Sequence, residues 1–186
     1  MNKYVLLIRA INVGGRNKVP MSDLKESLEG LGFSDVVTYI ASGNVVLSSD
    51  KSLDSIRSEI VALLAQNFNL DGTRNKILVL NQDQLEAAIG KKPDGFGEQP
   101  DTYHSDMIFL MDLDVADAMR VFKPREGVDT VWPGDGVIYS QRLSAERSKS
   151  RLSKIVGTPA YKSMTIRTYN TCKKLHEMLK EIGQTN

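Results

Sequence analysis

The stretch Val36-Val37-Thr38-Tyr39-Ile40-Ala41-Ser42-Gly43-Asn44-Val45-Val46-Leu47-Ser48 holds two β-rich runs around a three-residue loop that contains a glycine. That is the length and composition of a β-hairpin. Upstream, residues 3–9 are nearly continuous in apolar character, as expected of a central strand buried on both faces. From Pro20, the residues Met21, Leu24, Leu28 and Leu31 recur at helical spacing, and Gly32 supplies a left-handed stop. Downstream, Leu53, Ile56, Ile60, Leu64 and Phe68 share one helix face, and a short strand follows over Lys76 to Leu80. The order is βαββαβ.

The second half repeats the pattern. Val128-Asp129-Thr130-Val131-Trp132-Pro133-Gly134-Asp135-Gly136-Val137-Ile138-Tyr139-Ser140 lies over the first hairpin at a constant offset of 92 with four identities. Around it the sequence predicts a strand over Met107 to Met111, a helix over Asp114 to Phe122, a helix over Ala145 to Val156 and a strand over Ser163 to Arg167. A closing helix presents Cys172, Leu175, Leu179 and Ile182 on one face. Between the halves, Asn81 and Gln84 have the spacing of a capping box, with Leu80 and Leu85 placed as a hydrophobic staple. Residues 91–100 then carry two prolines and two glycines, which marks a boundary. The expectation is an α+β chain of two tandem βαββαβ units, each an antiparallel sheet with helices packed on one face, plus an extra C-terminal helix. The first domain spans 1–90, a linker 91–103 and the second domain 104–186.

Composition is that of an ordinary globular protein: 41% hydrophobic, 25% charged, formal net charge +1. The single cysteine, Cys172, excludes an internal disulfide framework and a cysteine-based zinc site. No window approaches eighteen apolar residues and the apolar run after Lys3 is too short for a signal peptide, so a cytoplasmic protein without membrane contact is expected. Charge is segregated. Residues 142–186 hold ten Lys/Arg against three Asp/Glu, while residues 1–141 hold fourteen against twenty. Such segregation suits an anionic partner, or internal salt bridging between the halves.

Polar residues gather where strands end. After the first strand, Arg9, Asn12, Gly14, Gly15 and Lys18 form a loop that could present backbone N–H groups and charge to an anion. It is neither a Walker A loop nor a dinucleotide fingerprint, since the required spacings are missing. Ser42, Gly43 and Asn44 make a second polar loop. Arg167, Thr168, Asn170, Thr171 and Lys174 stand where a strand passes into a helix, so that Thr168 or Asn170 caps the helix and Arg167 stands beside free N–H groups. Arg147, Arg151 and Lys154 recur at helical spacing as a basic stripe. No G-x-S-x-G, H-E-x-x-H or metal-spaced acidic cluster is present, and His104 and His176 are far apart in sequence, so no metal or cofactor is expected. Aliphatic central strands, Val5-Leu6-Leu7 and Val45-Val46-Leu47, disfavour base stacking on the sheet.

Three segments carry a resemblance: Leu6-Leu7-Ile8-Arg9-Ala10-Ile11-Asn12-Val13-Gly14-Gly15 with Lys18 and Met21; Thr38 to Val46; and Thr165-Ile166-Arg167-Thr168-Tyr169-Asn170-Thr171 with Lys174-Leu175. They resemble the signatures of the bacterial family known as domain of unknown function 1697. Ala10 stands where that pattern usually has Gly, Ala41 where it has Gln, and Thr168-Tyr169 where it has Asn-Trp. The resemblance implies tandem ferredoxin-like domains and brings no activity, substrate or cofactor. The functional expectation is a binding module for a phosphorylated or otherwise anionic ligand, nucleic acid included, at the seam between the domains. Its residues are Arg9, Asn12, Gly14, Gly15, Lys18, Ser42, Gly43, Asn44, Arg167, Asn170, Thr171 and Lys174. The alternatives are an enzyme that clamps a small phosphorylated metabolite with the same groups, and a structural or oligomerisation protein. A concave pocket with a titratable group favours a small molecule, and a flat basic face favours nucleic acid.

Overall fold

The computed structural model of the protein describes residues 1–70 and 77–184, so Lys76 of the expected fourth strand lies outside the described residues. The elements run β1 (Asn2–Ile8), α1 (Met21–Gly30), β2 (Ser34–Tyr39), β3 (Asn44–Ser49), α2 (Leu53–Asn67), β4 (Ile77–Asn81) and α3 (Gln82–Gly90). They continue with β5 (Tyr103–Leu110), α4 (Val115–Met119), β6 (Asp129–Pro133) and β7 (Val137–Leu143). Three 3-10 segments follow (Ser144–Lys149, Leu152–Gly157, Pro159–Ser163), then β8 (Met164–Thr168) and α5 (Tyr169–Glu181). The chain divides into two compact units, Met1–Glu86 with Lys174–Asn186, and Ala87–Lys173.

In the first unit the strand order is β2-β3-β1-β4, with every pairing antiparallel. Tyr4, Leu6 and Ile8 alternate onto one face and join Val45, Leu47, Leu24, Leu28, Ile56, Ile60 and Leu64 in a single core. Val5, Leu7 and Val46 point to the opposite face and are also fully buried. That double burial is why the sequence shows an unbroken apolar run instead of alternation. Each such side chain contributes about 1.5–3 kcal/mol of transfer free energy. Gly32, at φ 84°, ends α1 in a Schellman motif, Phe33 N–H donating to Leu28 O and Gly32 N–H to Glu29 O. The capping box at α3 is reciprocal: Asn81 N–H donates to Gln84 Oε1 at 2.9 Å, and Gln84 N–H to Asn81 Oδ1 at 2.8 Å.

In the second unit the order is β6-β7-β5-β8, again all antiparallel. Ile108, Leu110, Ile138 and Met164 pack against Ala118, Phe122, Leu152 and Ile155. Residues of the expected linker belong to this unit. Phe96 is fully buried and meets Tyr139, Tyr169 and Trp132 edge-on, with ring centroids 5.1, 5.3 and 6.1 Å away.

Other expectations change within the elements. Asn44 pairs with Leu7 and Val137 with Phe109 at equivalent places in the two sheets, 93 positions apart, so the gapless offset of 92 slips the second strand of the hairpin by one residue. The expected helix over Ala145 to Val156 is instead two 3-10 segments broken at Ser150, which has extended backbone. An α-helix would send the Arg151 N–H four residues back along the chain. Here it donates to the Asp129 carboxylate at 2.8 Å, while the Ser150 hydroxyl receives Leu152 N–H at 3.3 Å. Arg147, Arg151 and Lys154 therefore form no α-helical stripe. Similarly α4 closes at Met119, and Arg120 to Phe122 continue in i to i+3 bonds.

Candidate functional site

The first-unit loop is held by its own turns. Ala10, Asn12, Gly14, Gly15 and Asn17 all have left-handed φ, between 50 and 76°. Two successive positive φ values at Gly14 and Gly15 make a type I′ turn, closed by Arg16 N–H on Val13 O at 3.1 Å. The Asn12 N–H is engaged by Asn17 O at 3.0 Å. The Asn12 amide donates to Val19 O at 2.9 Å and Ala41 O at 2.8 Å and accepts Val19 N–H at 2.8 Å, tying this loop to the hairpin loop. Asn44 is fully buried and donates to Tyr39 O and Ser42 Oγ. Asn12 and Asn44 thus build the rim. Lys18, Gly14, Gly15 and Ser42 are exposed on it and Arg9 is half-buried.

Ala10 has φ 58°, a conformation that glycine adopts without strain. Relief of about 1–2 kcal/mol of left-handed strain is opposed by the added freedom of the unfolded chain, about 0.4–1 kcal/mol. Ala10→Gly is expected to raise stability by the difference, about 0.5–1 kcal/mol, as a higher urea midpoint at unchanged slope.

In the second unit, Arg167 on β8 is 9% exposed, and its Nη1 donates to Thr165 Oγ1 at 3.0 Å and Ile166 O at 2.8 Å. Burial pulls its pKa down to about 10. Thr168 caps α5, accepting Thr171 N–H at 3.2 Å. Thr171 is buried beneath that cap; Asn170 is exposed and lines a cavity of about 220 Å³ with His104 and Ser144. Lys174, which belongs to the first unit, pairs with Glu177 at 3.3 Å. The structure therefore gathers Asn12, Ser42, Gly43 and Asn44 in one unit and Arg167, Asn170 and Thr171 at one helix start in the other.

Sequence reasoning passed over the charge cluster on the second sheet. His104 Nε2 lies 3.0 Å from Asp106 Oδ1, and Arg142 Nη1 lies 3.5 Å from Asp106 Oδ2. Burial pushes the Asp106 carboxyl above its ordinary range, against the pull of His104 and Arg142. A signal was available: His104 and Asp106 are two apart on a strand and so share a face. Arg142 pairs in register with His104 on β7, which only the fold reveals. Beside them opens a cleft of about 320 Å³ between the sheet and the 3-10 segments. Asp106, Arg142, Arg147, Ser140, Ser150 and Ser153 form its polar wall. Ile108, Leu152, Ile155, Val156 and Ile166 form its apolar side. The second histidine stands apart, His176 Nε2 being buried and 3.8 Å from Glu86 Oε2, beyond hydrogen-bond reach.

The architecture is that of an α+β protein with two four-stranded antiparallel sheets. By sequence the chain belongs to the family described as protein of unknown function DUF1697, whose pattern matches residues 1–139. It is similar to the conserved bacterial protein SP0830 from Streptococcus pneumoniae, with a TM-score of 0.81 and 27% identity over 96% of this chain and 98% of that one. No curated protein matches it. Asp106 falls inside the stretch matched by the family pattern, and Arg142 and Arg147 fall beyond it. Among the described residues, no helix is long and apolar enough to cross a membrane.

Proposed function

We propose that this protein is a binding module for a small anionic ligand, seated in the second-unit cleft. The observation that carries the reading is that Arg142 and Arg147 line one cleft with Ser140 and Ser153 beside an apolar surface. Guanidinium groups bind phosphate, sulfate and carboxylate oxygens in forked pairs, and hydroxyls complete the shell. The volume, about 320 Å³, lies at the low end for small-molecule sites, which supports a metabolite over a dinucleotide. Exposed Lys149, Arg151 and Lys154 on the same segments favour a nucleic-acid backbone as the second reading. Steep loss of oligonucleotide affinity with salt is its signature.

The same reading takes each unit as a ferredoxin-like domain and the pair as an internal repeat. Supporting it, the two sheets share one strand order, and Ile8 N–H donates to Gly43 O as Leu110 N–H does to Gly136 O. A cytoplasmic setting goes with it, suggested by the free, buried Cys172, whose thiol burial pushes up to about 12.

Thermal-shift screening of sugar phosphates, nucleoside monophosphates and aryl sulfates and carboxylates tests the site. A true ligand at a hundred times its dissociation constant stabilises the protein by about 2.7 kcal/mol. Arg147→Gln removes one charge-assisted contact at the mouth and should weaken that ligand about tenfold, with the unliganded melt unchanged. A variant that responds as the wild type does, or a panel that moves nothing, refutes the assignment.

A further inference from the structure

Resting on the anionic-ligand reading, we infer that the cleft selects a monoanion attached to an apolar body over a dianion of the same shape. The charged groups lining it are Arg142, Arg147 and Asp106, which together leave a single positive charge. Arg142 already has the Asp106 carboxylate at 3.5 Å, so an incoming anion shares that guanidinium and lies close to a fixed negative charge. A monoanion leaves the occupied cleft neutral; a dianion leaves it negative. Attraction to the cleft grows in proportion to ligand charge, whereas the penalty for leaving water grows with its square, so the second charge costs more than it returns.

The apolar side of the cleft defines the remainder of the ligand. Leu152, Ile155 and Ile108 are buried there, while Val156 is 56% exposed at its edge, a large apolar surface in water that a hydrocarbon or aromatic body would cover. The charges that act on Asp106 are those of His104 on β5 and Arg142 on β7, and Arg147 lines the same cleft from the first 3-10 segment.

The test is calorimetric titration of the full chain at pH 8 with phenyl sulfate and phenyl phosphate, which have the same shape and differ by one charge because the second phosphate pKa is about 6. Phenyl sulfate is expected to bind about tenfold more tightly. Asp106→Asn should shrink that ratio about tenfold, since removal of the carboxylate favours the dianion more than the monoanion. Equal or tighter binding of phenyl phosphate to the wild type overturns the charge selection while leaving an anion site in place. A ratio unchanged in Asp106→Asn also overturns it, because the discrimination then has another source. Binding of neither probe, with Arg147→Gln indistinguishable from wild type, overturns the anionic-ligand reading itself. The wild-type ranking needs no variant, so a poorly folded Asp106→Asn does not spare the inference.

Discussion

A single methyl group added at Gly43 is expected to destabilise the first unit by about 3–4 kcal/mol, from left-handed strain of 1–2, steric overlap, and a weakened hydrogen bond of about 1. Gly43 has φ 79°, and an ideal Cβ there would stand 2.6 Å from Ile8 O and 2.9 Å from both Ile8 Cβ and Ile11 Cδ1. The nearest obstacle is a backbone oxygen, not the end of a flexible side chain. Ile8 is fixed at the end of the central strand, paired with Ile77 on β4. Nor can the loop retreat, because Gly43 O accepts the Ile8 N–H at 2.8 Å and a shift lengthens that bond. Gly14 and Gly15 supply the control. Both have positive φ, yet nothing lies within 4 Å of a Cβ built at either. Alanine there should cost only the strain, about 1–2 kcal/mol. Urea unfolding of the three variants separates the terms, and Gly43→Ala falling within 1 kcal/mol of Gly14→Ala would show that the close approach carries no energy.

These contrasts show which features a sequence exposes. Tyr4 to Ile8 was legible because burial on both faces leaves a run that no other element of that length produces. The stop at Gly32 and the box at Asn81 and Gln84 were legible because each depends on residues within six positions. The segment after β7 was not, because its backbone bonds are tertiary: Arg151 N–H pairs with a carboxylate 22 residues away. In the expected site, only the polar character of the loops was legible. Asn12 and Asn44 attracted attention as polar residues that no core demanded, yet their amides are engaged in joining and shaping loops. The cleft needed Asp106 and Arg142 together, 36 residues apart and brought face to face only by the β5–β7 register.

Asp129 should be the costliest single polar residue to neutralise in the second unit. Its side chain sits at the start of β6, the residue 8% exposed, and Oδ2 accepts Arg125 N–H at 2.9 Å and Arg151 N–H at 2.8 Å. Burial alone would push its pKa up. The Arg151 N–H, the Ser150 hydroxyl, the Arg125 N–H and the charge of Arg142 outweigh it and hold the carboxyl below its ordinary 3.8. A carboxylate with a lowered folded pKa adds stability that is fully present above the unfolded value and is lost as pH falls through the folded one. Asp129→Asn keeps the shape and one acceptor oxygen but removes the charge from two charge-assisted bonds, an expected loss of about 2–3 kcal/mol at pH 7. The gap between variant and wild type should close as pH is lowered from about 5 towards 2, because the wild-type carboxyl is then protonated too. A gap of the same size at both ends would mean that packing, not charge, is what Asp129 supplies. The consequence reaches the cleft. Arg151 N–H on Asp129 anchors the 3-10 segments that carry Arg147, Ser150 and Ser153, so acid or Asp129→Asn should loosen that wall. Amide exchange at residues 147–156 should then rise in the variant at pH 7, while exchange along β5 stays that of the wild type.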